Sequence, residues 1–538
     1  MIDGAHLIAI TLSYCCAIAT AIGMKIGDST RCHRLPFLEG DCDWICRNWV
    51  DLLMKVSRGK QHQVVVALLW SLAQNWGGRA LSFVLFLILA RLLDPSDFGL
   101  AALVSFILLL LSSISEFGFG DALIQRRTLE PADVTLPFFC SLAASAILAV
   151  LIALLATHIE HWLGVKGLAP LLTAASLSLP IGTATLFQEA LYKRQMDFRV
   201  LAVRTMVATA ISGVVGIACA YAGFGALSLV IQVVVQSAVS GLWLWSQPRW
   251  LPMRGHDLKS FRELSGYSIH VVSNRLLDFA IVRTIDMIIL SLYGVAALGI
   301  YTVGARVYII LMQLLTQAVM DVALSALSRI AHERDRIAEA YLRSVSLGAL
   351  VGSPIFVLLA AIAPEFSLLL FGAKWAGSEA VMRPLMLIGA IQTVQFVNSA
   401  YFGALGKPNY VLALNILKFC AVVPAMFLLP SHDIGQLATI FAVAQLIVTP
   451  VTFALALRLL GLSWNQFLRP VAGCLCAIVL AYGAVALCRE ATSDINPYLR
   501  MGLLSSCFAA TYLMSILLFW RKQLFSLIAF VVKRGATA

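Results

Sequence analysis

Apolar runs of about twenty residues recur along this chain and constrain its fold more than any single residue does. Among them are "ALSFVLFLILARLL", "LAALVSFILLLLSSIS", "SLAASAILAVLIALLA" and "VLALNILKFCAVVPAMFLL". At a rise of about 1.5 Å per residue, some twenty residues cross roughly 30 Å of hydrocarbon. Inside hydrocarbon every amide must find its partner within the protein, which a helix provides segment by segment. The short alternating segments of an outer-membrane barrel are not seen. The chain is 60% hydrophobic and 12% charged, whereas a soluble domain carries roughly 25% charged residues. We expect an all-α polytopic membrane protein of about fourteen spans, near 65–90, 98–118, 136–157, 168–190, 201–221, 225–246, 269–292, 298–323, 345–371, 380–403, 410–429, 436–459, 469–488 and 500–520.

The net charge of +11 is informative through its location. With residue 60 on the cytoplasmic side, connections on that side hold 23 of the 39 Lys and Arg, and the opposite side holds five: Arg91, Lys166, Lys374, Arg489 and Arg500. This split predicts that both ends of the fourteen-span body are cytoplasmic. It also accounts for the basic balance without nucleic acid. Residues 1–60 form an extension of uncertain status. "HLIAITLSYCCAIATAIGM" is apolar enough to span, which would make fifteen spans and put Met1 outside; Asp3 stands where a cleaved signal peptide would be basic. Cys32, Cys42 and Cys46 lack metal-ligand spacing and read as incidental thiols.

An internal repeat runs at an offset of 200. Set ungapped over 280–300, residues 80–100 bring Leu81, Leu92, Gly99 and Leu100 onto Ile281, Leu292, Gly299 and Ile300. The same offset brings Asp121 onto Asp321. Six spans per half is an even number, so the halves enter the membrane in one orientation, as a parallel repeat. The expected organisation is 61–262 as a first six-helix bundle, 263–462 as a second facing it across a central cavity, and 463–538 as two extra helices and a tail.

The stretch "LARLLDPSDFGLAALVSFILLLLSSISEFGFGDALIQRR" (89–127) resembles the opening of the bacterial polysaccharide transporter family, within the multidrug/oligosaccharidyl-lipid/polysaccharide flippase superfamily. The resemblance rests on Leu89 to Leu93, Pro95, Asp97-Phe98-Gly99, Glu116, Gly118, Gly120 and Ala122 to Arg126. In the second half, "LYGVAALGIYTVGARV" (292–307) resembles the family's GxxxLGxYxxA turn, with Gly304 in place of the alanine. Pro95 is placed to close span 1 and Asp97 to cap span 2, while Gly118 and Gly120 loosen the end of span 2. The resemblance implies a multi-pass inner-membrane flippase that moves undecaprenyl-diphosphate-linked oligosaccharide outward for exopolysaccharide, capsule or O-antigen synthesis. It implies no cofactor. Its implied partners are the lipid-linked oligosaccharide, membrane lipids, and a polymerase and chain-length regulator of the same pathway.

That substrate class gives a use for charges that are otherwise costly. The span "NRLLDFAIVRTIDMIILSLYG" (274–294) holds Arg275, Asp278, Arg283 and Asp286, and a charge at mid-bilayer costs roughly 2.5–3.5 kcal/mol on insertion scales. A diphosphate crossing the membrane needs cations to replace its hydration, and the arginine fork matches phosphate oxygens. The candidate substrate-binding residues are Arg79, Arg275, Arg283, Arg306 and Lys418, with Asp278 and Asp286 as possible ion-coupling carboxylates. Each has a plainer reading. Arg275–Asp278 and Arg283–Asp286 are i,i+3 pairs that can neutralise each other, and Arg306 can snorkel. Gly77-Gly78 beside Arg79 would permit helix distortion or, equally, close packing of a neighbouring helix. The rival functions are a multidrug antiporter of the same superfamily and a membrane glycan polymerase or ligase. The first would favour an acidic or aromatic cavity. The second would need a larger extramembrane segment, and no HExxH, GxSxG or GxxxxGK motif occurs.

Overall fold

In the computed structural model, residues 60–520 are described apart from 127–128, 253–257, 331–332, 406, 408 and 493, and the side chains of 60–75, 125, 258–260, 264, 266–282, 316–330, 334 and 519 are not. Cys32, Cys42, Cys46 and the possible N-terminal span fall outside the described residues. Every described element is helical. In chain order they are α1 Lys60–Leu92, α2 Pro95–Ser115, α3 Phe119–Gln125, α4 Pro131–Leu163, α5 Leu168–Ser176, α6 Ser178–Arg194, α7 Phe198–Tyr221, α8 Ala226–Ser246 and α9 Leu258–Ile330. There follow α10 Arg334–Leu347, a π turn Gly348–Gly352, α11 Ser353–Ala361, α12 Ala363–Leu370, α13 Ser378–Gln395, α14 Val397–Ala404, α15 Asn409–Leu428, α16 Ile434–Leu460, α17 Trp464–Ala491 and α18 Pro497–Phe519. Twelve segments among the described residues are long and apolar enough to span. The 33-residue α1 and the part of α9 before Gly294 supply the length for two more.

Helix ends follow from local sequence. Pro131 opens α4 while the Asp133 carboxylate accepts from the Glu130 amide at 2.9 Å. The Ser463 hydroxyl accepts from the Gln466 amide at 3.3 Å, and the Gln466 side chain accepts from the Ser463 amide at 2.9 Å, a reciprocal cap that starts α17. Within α9, Gly294 takes φ +81°, ψ −174°, a conformation open to glycine, and this breaks one long helix into two. The candidate spans are predominantly apolar. On α4, Ile147, Val150, Leu151 and Leu154 form an exposed stripe at helical spacing, as a lipid-facing surface requires.

The chain divides into two compact units, one within Arg34–Thr302 and one within Val303–Ala538. In the first, α7 packs on α1 and α8. The motif segment 116–126 makes a sharp turn, with Phe117 and Gly118 both at positive φ. α3 then buries Phe119, Ala122 and Leu123 with Val134, Phe138, Phe187, Leu191 and Trp250. The turn therefore holds a short helix in place instead of loosening span 2. Arg194 fastens this corner by donating to the carbonyls of Leu123 (2.9 Å) and Ile124 (3.3 Å) and to that of Arg126. The segment after α8 is tied down as well: Trp250 Nε1 donates to Pro131 O at 2.9 Å and Gln188 Nε2 to Trp250 O at 2.7 Å.

The 200-residue offset reappears in this unit as a reciprocal contact. A Cβ built on Gly99 would lie 1.9 Å from Val295 O, and one on Gly299 would lie 1.8 Å from Pro95 O. The first turns of α2 and of the second half of α9 thus cross backbone to backbone, with 95 and 99 answering to 295 and 299. Asp97 caps its own helix from the third helical position and has a further task. Its carboxylate accepts from the Asp94 amide at 3.1 Å and from the Ala226 amide at 3.0 Å, binding the start of α2 to the start of α8. The Asp321 side chain, counterpart of Asp121, lies outside the described side chains.

In the second unit, α13 packs on α16 and α11. Gly348 and Gly352, the ends of the π turn, bring that turn to within 2.9–3.0 Å of Thr393 by the same Cβ measure, a small-xxx-small contact suited to a membrane interior. Gly304 has a local reason: a Cβ there would meet Ser378 O at 2.7 Å, so the alanine of the resembling turn does not fit. The last two helices, α17 and α18, pair with each other. They are clamped to the rest by Glu365, 5% exposed, which receives Arg489 at 2.6 Å and Arg500 at 3.5 Å.

Candidate functional site

The structure places the predicted candidates on three helices, with Arg79 on α1, Arg275, Asp278, Arg283, Asp286 and Arg306 on α9, and Lys418 on α15. Arg79 lies half-buried on α1. The adjacent glycines do not distort that helix, which runs unbroken from Lys60 to Leu92. They admit α7 instead, since a Cβ on Gly77 would lie 2.4 Å from Met206 Cε and one on Gly78 would lie 3.2 Å from Thr205 Cγ2. Arg283 and Asp286 are brought together on α9: Arg283 Nη1 donates to Asp286 Oδ2 at 3.0 Å, with side chains 38% and 20% exposed. Arg275 and Asp278, one to two turns earlier, have side chains outside the described set.

Sequence reasoning missed a charged cluster in the first unit. Arg204 on α7, 8% exposed, donates through Nη1 to Glu189 Oε2 on α6 at 2.7 Å, while Lys193 reaches Glu189 Oε1 at 2.7 Å. Two cations thus converge on one carboxylate. The signal was available in "FQEALYKR" and "VLAVRTM" as a glutamate and an arginine within apolar runs, but the two lie on different helices. Nearby, Arg249 pairs with Asp197 and lies 4.7 Å over the Tyr192 ring. Asp197 also lines a cavity of about 450 Å³ with Arg199, Trp243 and Gln247.

In the second unit, Arg306 and Tyr308 sit on α9 two residues apart. The Tyr308 hydroxyl donates to Gln392 Oε1 on α13, and Gln392 Nε2 donates to Gln445 Oε1 on α16 at 2.7 Å. This phenol–amide chain crosses three helices at membrane depth. At the start of α14, Asn398 accepts from Tyr341 at 2.8 Å. Such groups can exchange hydrogen bonds with sugar hydroxyls as readily as with one another. Lys418 occupies the middle of α15, a 20-residue spanning helix. Among the described residues it has no carboxylate or hydrogen-bond partner. An ammonium at that depth is costly unless it faces water or an anionic ligand. The arrangement can therefore hold an anion and polar groups inside an apolar body.

Comparison with known proteins bears on the family and the fold. The sequence pattern of the family described as "Polysaccharide biosynthesis protein" matches residues 88–380, more than half of the chain. The succinoglycan biosynthesis transport protein ExoT of Rhizobium meliloti (strain 1021) is 27% identical over 358 residues, 66% of this chain and 72% of that protein. The lipopolysaccharide biosynthesis protein WzxC of Escherichia coli (strain K12) is 20% identical over 393 residues, 72% of this chain and 80% of that protein. Among solved structures, the lipid II flippase MurJ in an inward closed conformation superposes with a TM-score of 0.68 at 13% identity, over 85% of this chain and 100% of that one. An inward-facing multidrug resistance MATE family transporter of the MOP superfamily does so with a TM-score of 0.57 at 15% identity, over 71% of this chain and 94% of that one. These structures share the fold.

Proposed function

The chain belongs to the polysaccharide biosynthesis protein family, and from that premise we propose that it is a flippase that carries undecaprenyl-diphosphate-linked oligosaccharide across the bacterial inner membrane. The two repeated halves alternate access to a cationic path, and both ends of the fourteen-span body lie in the cytoplasm. The observation that carries this reading is Lys418, a cation at the centre of a spanning helix with no partner among the described residues. A substrate diphosphate is an anion of the right class to face it. The polar chain Tyr308–Gln392–Gln445 then offers exchangeable hydrogen bonds to the glycan. Arg79, Arg283 and Arg306 add further cations, and Arg283 shares its charge with Asp286 until substrate competes for it. The work is transport, with no bond made or broken. A polymerase and a chain-length regulator of the same pathway are the expected partners.

The test is a chromosomal deletion complemented by variants, with exported polysaccharide and lipid-linked repeat unit both measured. Loss of the gene should stop export and raise the lipid-linked pool. Lys418→Ala should do the same at normal protein abundance. Arg283→Ala combined with Asp286→Ala removes the ion pair without stranding a carboxylate, and export should stay low. Recovery of export in that double variant would give the pair a purely structural role. Normal export in the deletion strain, together with raised drug sensitivity, would favour the multidrug antiporter.

A further inference from the structure

Between α10 and α17 lies a groove of about 330 Å³ lined by Glu339, Leu342, Arg343, Ser346, Gln466, Arg469 and Pro470. It belongs to none of the residues assigned to transport above. Arg469 is exposed and, among the described residues, pairs with no carboxylate. Arg343 is half-buried and bonded to Glu339, which is itself 59% exposed. The three charges sum to one excess positive charge.

Depth makes the groove informative. Both helices start at the same end of the second unit. Arg469 is five residues into α17, about 8 Å, and Arg343 is nine residues into α10, about 13 Å. Arg469 opens the span expected at 469–488 and Arg343 lies two residues before the span expected at 345–371, so both stand near the hydrocarbon boundary. Trp464, 45% exposed, sits one turn above Arg469, as an aromatic does at a membrane interface. Leu342 and Pro470 make the wall below the arginines apolar.

We propose that this groove is a binding site for an anionic phospholipid, its phosphate held by Arg343 and Arg469 and one acyl chain lying along Leu342 and Pro470. Charge and level select this occupant. A zwitterionic headgroup brings its own cation to a site that already has a surplus, whereas a singly anionic phosphate balances it. The groove opens to lipid at the headgroup level, and basic pockets between spanning helices bind such headgroups. Glu339 tunes the site by drawing on Arg343.

The test uses the purified full-length protein, stripped of lipid and titrated with phosphatidylglycerol or phosphatidylcholine, with bound lipid counted by native mass spectrometry. The wild type should retain phosphatidylglycerol in preference to phosphatidylcholine. Arg469→Gln alters an exposed side chain and leaves folding intact. It should weaken the tightest phosphatidylglycerol site on the order of fivefold, as expected for one arginine near an anionic headgroup. Glu339→Gln should tighten that site. Equal retention of the two phospholipids by the wild type, or an unchanged preference in both variants, would overturn the proposal. A third titration uses farnesyl diphosphate. If it fills the Arg469-dependent site and phosphatidylglycerol does not, the groove takes substrate-like lipid diphosphate and the phospholipid assignment is wrong. Neither result depends on whether the protein exports polysaccharide.

Discussion

Replacing Gly99 with alanine probes the repeat and the packing together. The added Cβ would lie 1.9 Å from Val295 O and 2.8 Å from Val295 C. An unstrained carbon–oxygen contact is about 3.3 Å or longer, so the crossing helices must part by roughly 1.4 Å. The obstacle is backbone on a helix first turn, which cannot swing aside as a side chain does. Overpacking typically costs about 1–3 kcal/mol, and this site belongs at or above the top of that range. At about 3 kcal/mol the midpoint of thermal unfolding in detergent should fall by about 6 °C for a unit of this size. Gly299→Ala, blocked by Pro95 O at 1.8 Å, should behave the same way. The double variant should cost less than the sum, because helices already parted accept the second methyl more easily. Gly502→Ala is the control: nothing lies within 4 Å of its Cβ position in α18, and replacing a helical glycine should stabilise by about 0.5–1 kcal/mol. A midpoint for Gly99→Ala within 1 °C of wild type would refute the backbone crossing, and with it the register of 200.

Other outcomes follow from the same geometry. Glu365→Ala leaves Arg489 and Arg500 facing each other without their shared carboxylate; it should destabilise by about 3 kcal/mol and expose the α17–α18 hairpin to proteolysis first, as limited digestion can read. Gly304→Ala meets Ser378 O at 2.7 Å and should lower the unfolding midpoint by several degrees, although an alanine there satisfies the resembling sequence pattern. Single cysteines in 246–265 or 326–343 should resist impermeant maleimide in intact spheroplasts and react after lysis. Labelling from outside would reverse the proposed orientation.

How much was legible in advance depended on the range of the interaction. The Asp97-Phe98-Gly99 turn was recognisable, because prolines and glycines mark helix ends locally, yet the partner of Asp97 was not. Its acceptor role at Ala226 spans 129 positions of sequence. Gly77-Gly78 illustrates the same limit: glycine in a helix permits either a kink or a close neighbour, and only the position of Met206 on α7 decides between them. The Arg283–Asp286 pair could be anticipated because i and i+3 always meet on a helix. The Glu189–Arg204 pair could not, since it needs two helices in register.

Hydrocarbon imposes a one-dimensional requirement on length, apolarity and the sidedness of basic residues, so the sequence by itself determined that this chain is a bundle of spanning helices. The tertiary structure alone decided which charges on different helices neutralise each other, which glycines are contacts, and that Lys418 has no partner among the described residues. Those outcomes depend on the meeting of segments far apart in sequence, and lipid tails are as apolar as the helix surfaces they cover, so hydrophobicity does not choose the pairing.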